Sequence, residues 1–599
     1  MNDRGTGHAR DKDAASTSRR RVAVPSLRRR GAWAAVIPGA TALLAVAAAD
    51  AQIPTARAQS PHPSPPSLEE IDAWVEDAMA RWEVPGLGVA IVYGGESYLS
   101  TGYGVRELGQ PERVDGGTLF SIGSCSKAFG AATLASLVEE GKLRWDDRIT
   151  DHIPWFRLHD PWTTREIRVR DIVTHRVGTG SNQPLRPLVT DRRDYLMRLP
   201  HTEPDHAFRD RYGYTNDMFV LTGHLVETVS GTDWDSYARE RLWTPLGMTT
   251  TTARMGPANA SPNHAEPHAI IQRRFIGNAA TTGMPLEPVP WQYAENVTVP
   301  SGGVITSADE ITEWMRFHVG THPNPPLSRS SVELMHRPHT VIANPSSWMP
   351  FEGSGAYAMG WSTGRFGDVT AVGHGGNALG FNCSIALVPE EGFGVWATTN
   401  RNSELPWVLT KWALARFVGT EELRSRDWHA EFERSVAEGN RRTFEADEAR
   451  RAARLDQGPS VPLEAYAGTY HNGYAGELRI RLTDESVPPL MPAEGRLGRW
   501  DGTPGVHERP AASASAGTEG NGAGTGPANG TGEAAGEVRL VAEFDGRERP
   551  VRMPLEHWHV DRFDMWFGDV RIGVSFVLDA TARVTGVEMD YYGRFDRVR

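Results

Sequence analysis

Lysine is nearly missing from this chain. Of 63 basic residues four are lysines, Lys12, Lys127, Lys142 and Lys411, and arginine keeps its proton too firmly to act as a base. Chemistry that needs a lysine therefore has four candidate positions. Cysteine is scarcer: Cys125 and Cys383 are too few for a disulfide scaffold or an all-cysteine zinc site, and they allow at most one bridge, whose geometry the spacing does not reveal. Positive charge is not in excess, the formal net charge being −12, which argues against electrostatic binding of nucleic acid. Beyond residue 49 no run is long and apolar enough to cross a bilayer. What the chain does have is length, 599 residues, with 39% hydrophobic residues and 19 tryptophans. That composition predicts packed cores in two or more domains and excludes disorder of the whole chain.

Residues 1–58 read as an export signal. Arginine clusters at 19–21 and 28–30 precede an alanine-rich apolar stretch at 31–49, with small-residue cleavage sites at Ala49-Asp50-Ala51 and Ala56-Arg57-Ala58. The expected location is periplasmic or extracellular, by a general or a twin-arginine route, with no membrane span after cleavage; an uncleaved anchor is the alternative. After a proline-rich spacer at 59–66, Ser67 and Glu70 form a capping-box pattern ahead of Leu68, Ile71, Val75, Met79 and Trp82 at helical spacing. Pro85-Gly86 stops that helix, and residues 87–93, Gly94-Gly95 and 96–103 predict a β-hairpin. Mixed helical and strand patterns continue, so residues 67–420 are expected to form one α/β (α+β) domain. A charged helical connector is expected at 421–460 and an all-β barrel at 461–599. The barrel is interrupted at 502–536 by a stretch rich in Gly, Ala, Ser, Thr and Asn, too poor in apolar surface to fold and expected to be a disordered insertion.

Of the four lysines, Lys127 has a serine three residues before it, in Phe120-Ser-Ile-Gly-Ser124-Cys-Ser-Lys127-Ala-Phe-Gly130, and a helical pattern runs on to Glu140. Positions i and i+3 share a helix face. Ser124 is then expected in the first helical turn, where free N–H groups favour negative charge developing in acyl transfer. Lys127 can accept the serine proton if burial favours its neutral form. A second element, Arg211-Tyr-Gly-Tyr214-Thr-Asn216, again opens a helical pattern; a hydroxyl and an amide two residues apart suit proton handling and the positioning of Lys127 and substrate. A third, Val372-Gly-His374-Gly375-Gly376-Asn377-Ala-Leu-Gly-Phe381, leads into the apolar strand 383–388. Its glycines allow a substrate to lie close to the strand edge. Each element alone fits an ordinary surface helix, loop aromatic or turn, and one active site explains all three.

The segment from about Leu68 to Val418 resembles the class C β-lactamase and D-alanyl-D-alanine carboxypeptidase superfamily of serine hydrolases. Supporting stretches include residues 167–178, with His175, Pro245-Leu-Gly-Met248, and residues 301–309. The resemblance implies a transpeptidase-like fold, an antiparallel sheet flanked by helices. It implies Ser124 as the acylated nucleophile, Lys127 as its basic partner, Tyr214 as general acid and base, and Asn216 as a substrate-positioning amide. The backbone N–H groups of Ser124 and Asn377 are the implied oxyanion hole, with His374, Gly375 and Gly376 also substrate-binding. Lys127 and Tyr214 are taken as a coupled pair. The third motif departs from the Lys-Thr-Gly of true β-lactamases: His374 and Gly375 remove a cation and a hydroxyl that hold an anionic substrate, which argues against antibiotic hydrolysis. It looks more like the esterase and D-aminopeptidase members. The C-terminal module, through residues 463–470 and His557-Trp-His-Val-Asp561, resembles the lipocalin-like domain of some related serine peptidases.

Two further patterns are set aside. Gly360-Trp-Ser362-Thr-Gly364 matches a nucleophile elbow but lacks the helix that should follow it. His557, His559 and Asp561 alternate as metal ligands on one strand face could, yet fit a barrel wall equally well. The expectation is therefore a cofactor-free, metal-free exported serine hydrolase acting on a small ester or D-amino-acid peptide. The alternatives are a β-lactamase or carboxypeptidase, and a non-catalytic binder of peptidoglycan or D-peptides.

Overall fold

A computed structural model describes residues 64–180, 189, 191–270, 286–289, 297–346, 349–484, 539–544, 551–567 and 570–598. The expected export signal 1–58, most of the spacer 59–66 and the expected insertion 502–536 lie outside the described residues.

Helix α1 (Leu68–Arg81) begins where the capping box places it. Ser67 Oγ accepts the Glu70 N–H at 3.2 Å, and the Glu70 carboxylate accepts the Ser67 N–H at 2.7 Å. The helix buries Ile71 and Val75, worth about 2 kcal/mol each relative to exposure. The hairpin follows as β1 (Gly86–Tyr93) and β2 (Glu96–Gly104). Gly94 and Gly95 sit at φ +59° and +81°, the pair of positive values that a two-residue turn of this hand requires.

Six more strands complete an antiparallel sheet: β3 (Thr340–Ile342), β4 (Gly355–Tyr357), β5 (Ser362–Phe366), β6 (Val369–Ala378), β7 (Phe381–Val388) and β8 (Phe393–Thr399). Their order is β2-β1-β8-β7-β6-β5-β4-β3. Every residue of β7 and β8 is buried, because helices cover both faces. On one face α2 (Ser126–Glu139), α3 (Arg192–Arg198), α4 (Asp217–Ser230) and α5 (Ala308–Val319) share a core with Ala90, Val92, Ile385, Leu387 and Trp396. On the other, α1 and α6 (Leu405–Val418) pack on Val89, Ile91, Ala386, Val388, Val395 and Ala397. Alternate residues of one strand thus enter different cores, which is why these strands read as unbroken apolar runs. Lys411 of α6 is buried, its Nζ donating to Phe351 O at 3.2 Å, and burial pushes its ammonium down to about 8.

The C-terminal module is a closed barrel of eight consecutive strands: β9 (Gly468–Asn472), β10 (Gly476–Thr483), β11 (Arg539–Phe544), β12 (Val551–His559), β13 (Arg562–Phe567), β14 (Val570–Leu578), β15 (Val584–Met589) and β16 (Gly593–Arg597). It closes through Tyr470↔Arg597 and His471↔Asp596. Tyr470, Phe544, Met553, Phe563, Met565, Phe576 and Phe595 pack into its core, so at these positions side chains fill the interior. A long helix, α7 (Trp428–Ala452), bridges the two parts. Its first turns bury Trp428, His429 and Phe432 against the α/β domain, with His429 Nδ1 accepting the Trp82 indole N–H at 2.9 Å. Its last turns reach the barrel, where Arg450 pairs with Asp564 at 2.8 Å and lies over the Trp558 ring.

The barrel also touches the α/β domain directly. The turn between β9 and β10 lies against α3, with Arg198 donating to Tyr474 O at 3.0 Å. Tyr195 of α3 in turn donates its hydroxyl to Asp217 Oδ1 at 2.6 Å, at the start of α4. Among the described residues no helix is long and apolar enough to cross a membrane.

Candidate active site

Ser124 lies in a 3-10 turn, Gly123–Cys125, and α2 begins at Ser126. It therefore stands just ahead of the helix and not in its first turn, where the Ser-x-x-Lys spacing predicts it. The cause is Gly123, at φ +48°, where a Cβ would fall 2.6 Å from Asn377 N on β6. Strand and turn approach too closely for any side chain there. From below, Ser126 Oγ donates to Gly123 O at 2.6 Å and accepts the Val304 N–H at 2.9 Å, and the Ile122 N–H donates to Val304 O at 3.1 Å.

Lys127 shares the face of Ser124 as expected. Its Nζ, fully buried, is 3.0 Å from Ser124 Oγ, 2.7 Å from Asn216 Oδ1 and 2.6 Å from Ser301 O. The rings of Tyr214 and Phe219 stand 4.8 and 5.3 Å from it. Amide and peptide carbonyl oxygens accept and never donate, so two of these contacts fix amine protons on Lys127. A serine hydroxyl does both. The proton between Ser124 and Lys127 can therefore rest on either atom.

Asn216 holds the N-cap position of α4, yet its side chain makes no capping bond there. It is turned to Lys127 instead, and Thr215 Oγ1 accepts the Asp217 N–H at 3.2 Å in its place. Tyr214, half-buried, has its ring 4.3 Å from that of His175 and 6.2 Å from that of His374. The structure thus brings Ser124, Lys127, Tyr214, Asn216 and Asn377 together from three separate stretches of chain.

The His-Gly-Gly stretch of β6 behaves differently from expectation. Gly375 O can only accept, so His374 Nδ1 carries the proton in their 2.6 Å bond, and Nε2 accepts the Tyr357 hydroxyl at 2.9 Å. The ring is 1% exposed, and burial, aided by Lys127, pushes it down to about 3. A neutral ring with both nitrogens engaged inside the wall offers no hydrogen bond to a substrate, which corrects the substrate-binding role expected of this side chain. Gly376 faces the turn that carries Ser124: a Cβ there would lie 2.0 Å from Ile122 O. Its smallness lets strand and turn pack, rather than letting a ligand approach. Gly375 pairs with Ser384 within the ladder. On the outer side β5 pairs β6 as far as Gly373↔Ser362, so among the described residues Gly375 to Ala378 present an edge without a strand beside Ser124.

Cys125 and Cys383 are both buried and free. Cys125 Sγ donates to His374 O at 3.3 Å, and burial, with Cys125 alongside, raises the Cys383 thiol well above its usual range. Ser362 of the Gly-x-Ser-x-Gly match lies in β5, buried, its hydroxyl donating to Gly373 O at 2.7 Å. In the barrel, His557 bonds Val560 O at 3.0 Å, Asp561 accepts from Ser460, and the register shifts between His557 and His559.

A family model described as Beta-lactamase matches residues 71–420. The chain belongs to the beta-lactamase family. Among curated relatives of this family member are an unguisins hydrolase (ungD') of Aspergillus campestris, 27% identical over 489 residues, covering 72% of this chain and 87% of that one, and Protein flp of Staphylococcus aureus, 26% identical over 343 residues, covering 56% and 64%. The octameric penicillin-binding protein homologue from Pyrococcus abyssi aligns over 88% of this chain and 100% of its own, with 18% identity and a TM-score of 0.52, a likeness of fold. This beta-lactamase-family chain is a serine hydrolase with the expected antiparallel sheet and flanking helices, followed by a closed eight-stranded barrel.

Three parts of this beta-lactamase-family site were given no role from the sequence. Ser301 contributes a main-chain oxygen, which no residue type announces. Tyr357 reaches His374 through strand pairing across β4, β5 and β6. His175 stood out for resemblance alone. Buried and half-buried histidines also set a pH limit on the fold. Burial drives His336 down to about 3 and His339 to about 4, and holds His175 and His318 well below the usual value. Each, like His374, is a base with a depressed folded-state pKa. Between that pKa and the unfolded 6.5, the unfolded chain binds more protons, so stability falls as pH drops below about 6.5, by about 1.4 kcal/mol per pH unit for each fully buried ring. The melting temperature at pH 5 should lie well below that at pH 7.5 in a thermal-shift series; an unchanged or higher value would contradict these assignments.

Proposed function

We propose that this chain is an exported hydrolase in which an ester or amide substrate acylates Ser124 and water then releases the acyl group. One observation carries the reading: of the Lys127 contacts with Ser124, Asn216 and Ser301, the contact with Ser124 Oγ is the one whose proton can reverse direction. Lys127 and Tyr214, acting as a coupled pair, take the hydroxyl proton as Oγ bonds to the substrate carbonyl carbon. The resulting oxyanion is received by the N–H groups of Ser124 and Asn377. Collapse breaks the bond to the leaving oxygen or nitrogen, which departs with the proton returned by the pair. Water then adds to the acyl carbon and gives up a proton to the same pair, and Ser124 regains its own as the acid leaves.

The neutral, inward-turned His374 supports substrates without a free carboxylate beside the scissile bond, of the esterase or D-amino-acid peptidase type. The name of the Aspergillus campestris relative, unguisins hydrolase, supports hydrolysis as the activity. A panel of p-nitrophenyl esters, D-alanyl p-nitroanilide and nitrocefin tests this. The best ester or D-alanyl amide should exceed nitrocefin in kcat/KM by about 100-fold or more, the penalty for a site that lacks the charged partner a substrate needs. Nitrocefin as the fastest substrate would overturn the substrate class, and saturable binding with no turnover across the panel would favour a non-catalytic binder. The export reading calls for a mature protein, recovered outside the cytoplasm, whose intact mass corresponds to cleavage near residue 58.

A further inference from the structure

His175 is buried at φ +51°, a left-handed conformation that costs a non-glycine residue about 1–2 kcal/mol. The segment is fixed from several sides. Asp171 pairs with Arg176 and Arg209, Thr340 Oγ1 donates to Thr174 O at 2.7 Å, and the Gly360 N–H donates to Val173 O at 3.1 Å. A second cost sits on the ring: Nε2 is buried with no hydrogen-bond partner among the described residues, a penalty of about 1–3 kcal/mol for a polar group.

What the residue supplies in return is a bracket around Tyr214. Its main-chain oxygen accepts the Gly213 N–H at 2.9 Å, and its Nδ1 accepts the Thr215 N–H at 3.2 Å. The N–H groups of the residues on either side of Tyr214 are thus held by one residue. The ring itself lies 4.3 Å from that of Tyr214 and 4.2 Å from that of Tyr357. A backbone N–H can only donate, so Nδ1 presents its lone pair and the neutral ring carries its proton on Nε2. Burial, followed by the proximity of Lys127 and His374, keeps the ring uncharged.

We infer that His175 is a positioning residue for the acylation chemistry: its Nδ1 and main-chain oxygen set the loop that aims the Tyr214 hydroxyl at the Ser124–Lys127 pair. The inference rests on the reading of Tyr214 as a proton-transfer group, and the experiment separates the two. Full-length His175→Asn, His175→Gly, Tyr214→Phe and the Tyr214→Phe/His175→Gly double variant are compared by stopped-flow acylation with a p-nitrophenyl ester, by steady-state kcat and KM, and by melting. Asparagine tolerates a left-handed backbone and offers an acceptor in place of Nδ1. Glycine relieves the backbone and offers none.

His175→Asn should keep acylation within about 5-fold of wild type, whereas His175→Gly should lose about 30-fold or more in kcat with KM nearly unchanged, as a misplaced catalytic group does. Added to Tyr214→Phe, the glycine change should cost little more, because the group it positions is already gone. Equal rates for His175→Gly and His175→Asn, or an undiminished loss in the Tyr214→Phe background, would overturn the inference. Full acylation by Tyr214→Phe would remove the reading of Tyr214 and the inference with it. An impaired Tyr214→Phe beside an intact His175→Gly would remove the inference alone. One measurement needs no glycine variant: nitrogen-15 spectra of histidine-labelled protein, with His175→Asn identifying the signal, should show the Nε2–H tautomer, and an Nδ1–H tautomer would overturn it.

Discussion

Ser124→Ala is expected to lower kcat on the best ester by about ten-thousandfold or more, the usual consequence of removing a nucleophile while leaving the binding site and oxyanion donors in place. It should also abolish the single adduct that a fluorophosphonate leaves on the wild-type protein in intact-mass analysis. The change should be gentle on the fold. Ser124 is half-buried, and its turn is held by Gly123, Ser126 and Val304 rather than by the serine hydroxyl. Lys127 keeps its bonds to Asn216 and Ser301. An alanine variant that labels and turns over like wild type would remove Ser124 from the mechanism altogether.

Lys127→Arg should be almost as damaging, with kcat down by about a thousandfold, because a group that cannot give up its proton cannot receive one from serine. Geometry adds to the loss. Lys127 is 0% exposed and ends between Asn216 Oδ1 and Ser301 O, a space cut for a compact amine and not for a planar guanidinium. Lys127→Met, close in volume and without a proton, separates the two effects: a comparable loss in kcat with a near-native melting temperature identifies proton transfer as the missing function. Acylation by Lys127→Met at the wild-type rate would refute the assignment.

The sequence stated much of this because several of its signals are local. Ser67 and Glu70 mark the start of α1, Gly94-Gly95 marks the hairpin, and the three-residue step from Ser124 to Lys127 puts both on one face even though Ser124 lies ahead of the helix proper. The alternating apolar pattern after residue 463 foretold strands, and their closure into a barrel follows from sequential pairing. What stayed hidden depends on register and on main-chain atoms. Nothing in the letters shows that Ser301 lends a carbonyl oxygen to Lys127, or that Tyr357 meets His374 across two strand boundaries. Gly376 is instructive in the same way. Its residue type announced a close approach, and the partner in that approach, Ile122 O beside the Ser124 turn, became visible with the fold.

The placement of the lysines has a practical consequence for handling the protein. Lys127 and Lys411 are buried, and Lys142, paired with Glu140, is the exposed one among the three described. Apart from the chain terminus and Lys12, an amine-reactive dye or a coupling resin meets one accessible target on the folded surface, at the end of α2 away from Ser124. Attachment there should be nearly uniform in orientation, and a lysine-specific protease should nick the native protein at that point first.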